Sequence, residues 1–354
     1  MAIHGGNLRA AAELYGTQEF LDFSANINPL GPPQGVFDAI ARHTPAIIQY
    51  PDPSGHELKL RLSATLGVEP ARLLLGNGAV ELIYVLAQAL RPRRCLLPLP
   101  TFSEYARALS AAGSELVYCY LRPDNGFALD PEMLEVEGCD LIVVCNPNNP
   151  TGTYLSETVF QQILQLARQQ DAYLVVDASF VDFVEPALRW SIAKYLPSYA
   201  KLLVLYYLTK FYAIPGLRLG CGMGEPALLA RLNECKDPWS VNSLALAAGV
   251  AALADLTYPA QTVQLIRQER DFLHAGLQLL PGLQVLPGTA NFLLVHNAGP
   301  VWGNELVRAL GLQGILVREC SNFPGLDGHY FRVAVRQHRD NLRLLAALAQ
   351  VIPT

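Results

Sequence analysis

The sequence predicts an α/β protein: a mainly parallel central sheet with helices on both faces, joined to a smaller α+β domain. Two patterns carry this reading. Between Leu73 and Leu208, short apolar runs alternate with stretches of helical spacing, as crossover units between parallel strands require. Beyond Val263 the apolar runs shorten and crowd together, which suits a small domain with a sheet of its own. The scale fits as well: 354 residues, 51% hydrophobic and 16% charged, bury more than one core.

Taken in order, residues 1–30 are polar, with a short amphipathic pattern after His4-Gly5-Gly6-Asn7 and extended chain from Phe23 to a turn at Gly31. Gln34–Arg42 has helical spacing, Tyr50 to Gly55 is a Pro/Gly hinge, and Glu57–Leu66 is again helical. Strands are predicted at Leu73–Leu75, Arg94–Pro98, Glu115–Tyr120, Leu141–Cys145, Ala172–Val176 and Leu202–Leu208. Helices Ala79–Leu90, Ser103–Ala112, Ser156–Gln169 and Ser191–Tyr195 fall between them. The segment holding Pro215, Gly216 and Gly220 reads as turn-rich. Pro226–Lys236, Val241–Leu256 and Val263–Leu280 are predicted helices. In the tail, strands at Gln284–Leu286, Phe292–His296, Ile315–Arg318 and Tyr330–Val335 accompany helices Val301–Leu310 and Arg339–Val351. This divides the chain into an N-terminal arm contributing to the small domain (1–48), a large domain (49–255) and a small C-terminal α+β domain (256–354).

Composition excludes several classes. A net charge of −5 and a pI near 5.8 leave no basic stripe for nucleic acid. No run approaches the ~18 uncharged apolar residues of a membrane helix, and the N-terminus lacks the basic start and apolar core of a signal peptide. The seven cysteines are dispersed and form no C-x-x-C, so they read as core thiols of a reduced, cytoplasmic protein and not as metal ligands.

Ligands bind outside the carboxyl ends of strands in an open parallel sheet, so the residues after each predicted strand matter most. Gly76-Asn77-Gly78 precedes a helix directly and offers bare N–H groups to a phosphate, or serves a tight turn. Phe102 follows the second strand, where it stacks on a planar ligand or joins the core. Asn146-Pro147-Asn148-Asn149-Pro150-Thr151-Gly152 is a constrained polar loop. Asp177 closes an apolar strand, as a helix cap or as a functional acid. Lys210 follows the strand Leu202–Leu208, with Arg218 shortly after. Desolvation there lowers a lysine pKa toward the neutral, nucleophilic amine, unless the chain snorkels outward. Together these are the parts an aldehyde-bearing pyridine cofactor needs: a lysine, an acid for the ring nitrogen, a donor for the phenolic oxygen and a phosphate cup.

Three motifs carry a resemblance: N-P-N-N-P-T-G (146–152), V-V-D-A-S-F (175–180) and L-T-K-F-Y-A-I-P-G-L-R-L-G (208–220). Over essentially its whole length the chain resembles the fold-type I PLP-dependent transferases, in the aminotransferase branch that contains histidinol-phosphate aminotransferase. H-G-G-N (4–7), L-D-F-S-A-N-I-N-P-L-G (21–31), P-W-S-V-N (238–242) and F-R-V-A-V-R (331–336) resemble more narrowly the L-threonine O-3-phosphate decarboxylases of cobalamin biosynthesis. The resemblance implies that Lys210 carries the pyridoxal 5'-phosphate aldehyde and Asp177 faces the ring nitrogen. Asn149 then meets the ring hydroxyl and Phe102 stacks on the ring. Gly78, Ala79, Val80, Thr209 and Arg218 hold the cofactor phosphate, joined by Tyr50 from the neighbouring subunit of a homodimer with shared sites. Arg332 meets the substrate carboxylate, Asn149 also binds substrate, and His4, Asn28 and Arg336 are the candidates for the substrate phosphate.

The chain departs from the family pattern at Phe180, where a tyrosine is usual, at Ala178-Ser179, and at Tyr206-Tyr207, which stand where Arg-Ser is expected. Phe180 favours the decarboxylase. The activity implied is decarboxylation of L-threonine O-3-phosphate, with transamination of histidinol phosphate as the alternative and a cofactor-binding regulatory protein as a third reading.

Overall fold

The computed structural model describes residues 5–352. Helix α1 (Leu8–Tyr15), whose Asn7 cap accepts the Ala10 N–H, is followed by a two-residue strand, β1 (Leu21–Asp22), and by α2 (Gln34–His43) and α3 (His56–Leu66). The alternating stretch gives β2 (Leu73–Asn77), α4 (Ala79–Leu90), β3 (Arg94–Leu99), α5 (Glu104–Ala111), β4 (Glu115–Tyr120), β5 (Leu141–Cys145), α6 (Glu157–Gln169), β6 (Tyr173–Asp177) and β7 (Leu202–Tyr207). A four-residue helix, α7 (Leu208–Phe211), leads into β8 (Leu219–Gly224), α8 (Pro226–Glu234), α9 (Ser243–Ala254) and α10 (Tyr258–Gln278). The tail adds β9 (Leu283–Val285), β10 (Phe292–Asn297), α11 (Gly303–Leu312), β11 (Ile315–Leu316), β12 (Arg318–Glu319), β13 (Tyr330–Ala334) and α12 (His338–Val351). Among the described residues no single helix is long and apolar enough to cross a membrane.

The central sheet has seven strands in the order β2-β8-β7-β6-β5-β3-β4. All run parallel except β8, which is antiparallel to both its neighbours. Buried strands alternate between two cores: Leu141, Val143 and Cys145 point into one helical layer, Ile142 and Val144 into the other.

Strand β8 corrects the sequence reading, which placed this stretch among turns. Its L-G-C-G-M-G pattern lacks side chains at alternate positions, where neighbouring side chains crowd Gly222 and Gly224 and backbone crowds Gly220. A Cβ on Gly220 would meet the Ala79 nitrogen at 2.6 Å and the Tyr206 carbonyl at 3.0 Å. The predicted helix at Ser191–Tyr195 is instead a 3-10 stretch, Ile192–Ser198, with Pro197 inside it.

A second sheet, β12-β13-β10-β9, is antiparallel, and β1 pairs in parallel with β11. The predicted strand Ile315–Arg318 therefore splits at Val317 and serves two sheets. Phe23, Leu306, Phe331 and Leu344 fill the third core. The N-terminal segment then crosses to the large sheet, where the Asn28 N–H donates to the Lys210 carbonyl at 3.1 Å.

Candidate active site

Because β2, β3, β5, β6 and β7 are parallel, their carboxyl ends share one edge, and the reversed β8 brings its amino end to the same edge. Phe102, Asn149, Asp177, Thr209, Lys210 and Arg218 meet there in a cavity of about 220 Å³, with Val80 from the start of α4. The opposite wall comes from the small sheet, as Arg318 and Arg332, and from the N-terminal segment, as Ser24 and Asn26. A larger cavity of about 840 Å³, lined by Trp190, Tyr206 and Tyr212 among others, holds none of the predicted site residues. Convergent chemistry, not size, identifies the site.

Asp177 is 1% exposed. Its Oδ1 accepts the Ser179 N–H at 2.9 Å and the Ser179 hydroxyl, and its Oδ2 accepts the hydroxyls of Tyr105 at 2.6 Å and Tyr207 at 3.3 Å. Burial raises its pKa, and the Ser179 and tyrosine donors oppose that shift. So Tyr207, one of the departures from the family pattern, gives its hydroxyl to Asp177. Tyr206 donates to Asp182 at 2.5 Å on the other side of the strand. Phe180 packs edge-on against Phe292 with ring centres 5.0 Å apart.

Lys210 stands in the short helix after β7. Burial pushes its pKa down to about 8, and the positive charges of Arg332 and Arg218 add to the effect. Neutral amine is thus present near neutral pH, as a nucleophile requires. Arg218 adopts the left-handed region, φ 57, which is unusual for a residue with a side chain. Its guanidinium covers Gly78, where any Cβ would collide with it. Gly78 itself has φ 70 and opens α4, so its bareness serves both the backbone turn and the close approach.

Arg332 is 6% exposed. It donates to Asn149 Oδ1 and, at 2.9 Å, to the Ser24 carbonyl, while its Nε is buried with no hydrogen-bond partner. Arg318 stands directly opposite it across the β12–β13 pair.

Several predicted residues are elsewhere. Asn28 is corrected: it is 2% exposed, with its amide donating toward the Phe211 carbonyl and the hydroxyls of Tyr258 and Thr262 at 2.8–2.9 Å. It ties the N-terminal segment to α10 and does not line the cavity. Arg336 is likewise corrected, since its guanidinium pairs with Asp340 at 3.1 Å and donates to the Asp22 carbonyl at 3.2 Å. It lies beyond the end of β13, past the cavity. Tyr50 is 80% exposed and stacks on Trp239 at 4.7 Å, outside the chain's own cavity. Gly78 and Ala79 adjoin the cavity through Val80 and Arg218. His4 lies outside the described residues.

The sequence reading missed Tyr105, Asn26 and Arg318. Asn26 is 3% exposed, lines the cavity, and has a buried Oδ1 with no hydrogen-bond partner. For Arg318 a signal existed: an arginine inside the apolar run I-L-V-R-E-C (315–320) is expensive unless it meets an anion.

The site has the donor set of an aldehyde-bearing pyridine cofactor: a buried carboxylate, a desolvated amine, and an arginine over bare backbone at a helix start. Comparison with known proteins agrees. The model of the aminotransferase class I and II family matches residues 18–348. The chain is 40% identical to threonine-phosphate decarboxylase of Salmonella typhimurium over 99% of this chain and 96% of that protein. Among solved structures it is similar to histidinol-phosphate aminotransferase from Clostridium acetobutylicum (TM-score 0.87, 28% identity, 93% and 98% of the two chains covered). It is also similar to L-threonine-O-3-phosphate decarboxylase from Porphyromonas gingivalis (TM-score 0.81, 27% identity, 93% and 98% covered). With the cavity at the carboxyl edge of the sheet and a family match across nearly its whole length, the chain belongs to the class I and II aminotransferase family.

Proposed function

We propose that this protein is a pyridoxal-phosphate-dependent carboxy-lyase that converts L-threonine O-3-phosphate into (R)-1-aminopropan-2-yl phosphate for cobalamin assembly. The observation that carries this reading is the opposed pair Arg318 and Arg332, two buried guanidiniums facing the same cavity as Lys210 and Asp177. Such a pair suits a substrate with two anionic groups, a carboxylate and a phosphate. The threonine-phosphate decarboxylase at 40% identity supports the same choice.

Pyridoxal phosphate, when bound, supplies an aldehyde that condenses with amines and a protonated ring that draws electrons from Cα. Lys210 would hold that aldehyde through its amine. Asp177 would keep the proton on the ring nitrogen, Phe102 would cover the ring and Asn149 would meet its oxygen. Val80 with the preceding N–H groups of α4, Thr209 and Arg218 would hold the cofactor phosphate. Arg332 would grip the substrate carboxylate and so orient the bonds at Cα; Arg318 would receive the substrate phosphate, with the Asn26 amide N–H and His4 further candidates. The Lys210 ammonium would be the acid that returns a proton to Cα.

We further read the chain as a homodimer in which Tyr50 reaches the neighbour's cofactor phosphate, supported by its exposure beside Trp239. The arm (1–48) belongs with the small domain (256–354), a division supported by the β1–β11 pairing, and 49–255 forms the large domain. The cytoplasm suits its seven free thiols.

The deciding test supplies the purified protein with pyridoxal phosphate and L-threonine O-3-phosphate, with no oxoacid. Carbon dioxide and aminopropanol phosphate in equal amounts are expected. Amino transfer from histidinol phosphate to 2-oxoglutarate, with no carbon dioxide, would overturn the reaction and leave the cofactor site standing.

A further inference from the structure

Asp177 is surrounded by hydroxyls from three elements. Ser179 follows it in the chain, Tyr105 arrives from α5 and Tyr207 from the end of β7. Tyr105 is 1% exposed and Tyr207 6%, so neither phenol is there for solvent. Together with the Ser179 N–H they make four hydrogen bonds to two oxygens, which is about the full acceptor capacity of a carboxylate. The two tyrosines differ in geometry: Tyr105 is tight at 2.6 Å and Tyr207 is long at 3.3 Å. Both remain protonated donors, since burial and then the charge of Asp177 raise their pKa well above the ordinary value. Cys145, the other titratable group beside them, is held as a neutral thiol by burial. Lys210 and Arg218 line the same cavity as Asp177.

We propose that Tyr105 and Tyr207 are positioning residues that fix where the proton shared by Asp177 and the cofactor ring nitrogen resides, an inference that rests on the cofactor reading above. Burial alone makes a carboxylate more basic, which pulls a shared proton toward oxygen. Each phenol that donates to Asp177 lowers that basicity and leaves the proton on nitrogen, where it is useful. No bond other than the N–H or O–H of this one proton changes. Oδ2 already accepts two phenols, so a ring N–H approaching it displaces or shares the longer Tyr207 bond, while Tyr105 keeps the carboxylate oriented. Tyr105 therefore has the larger effect of the two.

The test loads the holoenzyme with pyridoxal phosphate carrying ¹⁵N at the ring nitrogen and reads its NMR shift in the native protein, Tyr105→Phe and Tyr207→Phe. The native shift should be that of a protonated pyridine. Tyr105→Phe should move it toward the neutral value, corresponding to a change of roughly tenfold or more in the proton equilibrium. Tyr207→Phe should move it less. The turnover number should fall in the same order while KM for substrate stays nearly constant. Should the phenylalanine variants fold poorly, 4-aminophenylalanine at position 105 keeps the shape with a weaker donor and should give an intermediate shift. Shifts identical to native in all folded variants would overturn the proposal. A neutral ring nitrogen in the native holoenzyme would instead overturn the role given to Asp177 itself.

Discussion

Arg318 on β12 and Arg332 on β13 are directly opposed in register, and they are 8% and 6% exposed. Like charges opposite each other on adjacent strands destabilise a sheet, and burial lowers the pKa of both, that of Arg332 to about 10. Among the described residues Arg318 donates to the Glu319 carbonyl and Asn322, and Arg332 to Asn149 and the Ser24 carbonyl. Two guanidiniums on one wall of the cavity suit the two anionic groups of the proposed substrate.

Arg318→Met should therefore separate binding from stability. A charge-assisted hydrogen bond contributes about 1.5–3 kcal/mol, so kcat/KM for the phosphorylated substrate should drop roughly 10- to 100-fold. The melting temperature without substrate should hold or rise, because one buried like charge is gone. Unchanged kinetics would place the substrate phosphate elsewhere in the cavity.

Asp177→Asn keeps the size of the side chain but presents an amide to the Tyr105 and Ser179 donors. The ring nitrogen loses its counter-charge, and the turnover number should fall by about a thousandfold or more, near 4 kcal/mol in barrier height. Rapid-quench measurement of carbon dioxide release isolates this step. A loss below about tenfold would contradict an acid at the ring nitrogen.

Lys210 gives a pH signature with a definite sign. Its folded pKa, lowered to about 8 from 10.5, means that the unfolded chain binds more protons between those values. Stability of the cofactor-free protein should thus rise with pH across that window, by at most about 3 kcal/mol before solvent screening reduces it. Below pH 8 both states carry the proton and the burial penalty is fully present. Lys210→Met should be more stable near pH 7 and lose this rise, which denaturant titrations from pH 7 to 10 would reveal. In the native protein, cofactor attachment should accelerate as pH climbs through about 8.

How much of this was readable beforehand follows from which contacts are local. Each of Phe102, Asn149, Asp177 and Lys210 ends or follows an apolar run, so strand ends alone place them on one edge of a parallel sheet. Strand β8 was hidden because its glycines at 220, 222 and 224, crowded by backbone at Gly220 and by side chains at the other two, lack the side chains that mark a strand. Tyr105 sits 72 residues from Asp177, on a helix whose apolar face looks like any other, so nothing short of the fold reveals its phenol. Asn28 misled for the converse reason. It stands in a polar segment that looks open to ligands, yet its amide partners lie 183 to 234 residues away in Phe211, Tyr258 and Thr262. Arg318 was readable only as an unexplained charge, and its meaning depends on the register that sets it against Arg332.

Tyr50 carries the last prediction, which rests on the homodimer proposed above. It is 80% exposed, stacked on the half-exposed Trp239, and absent from the wall of its own cavity. If it completes the neighbour's phosphate site, Tyr50→Ala and Lys210→Ala damage different halves of a shared active site. Each variant alone should be nearly inactive. When the two are unfolded together and refolded as a mixture, half of the dimers are mixed, and each mixed dimer holds one intact site. About a quarter of native activity should return, as twofold symmetry with shared sites requires. Recovery that stays at the sum of the separate variants, with mixed dimers present by native mass spectrometry, would assign both residues to the same chain's site.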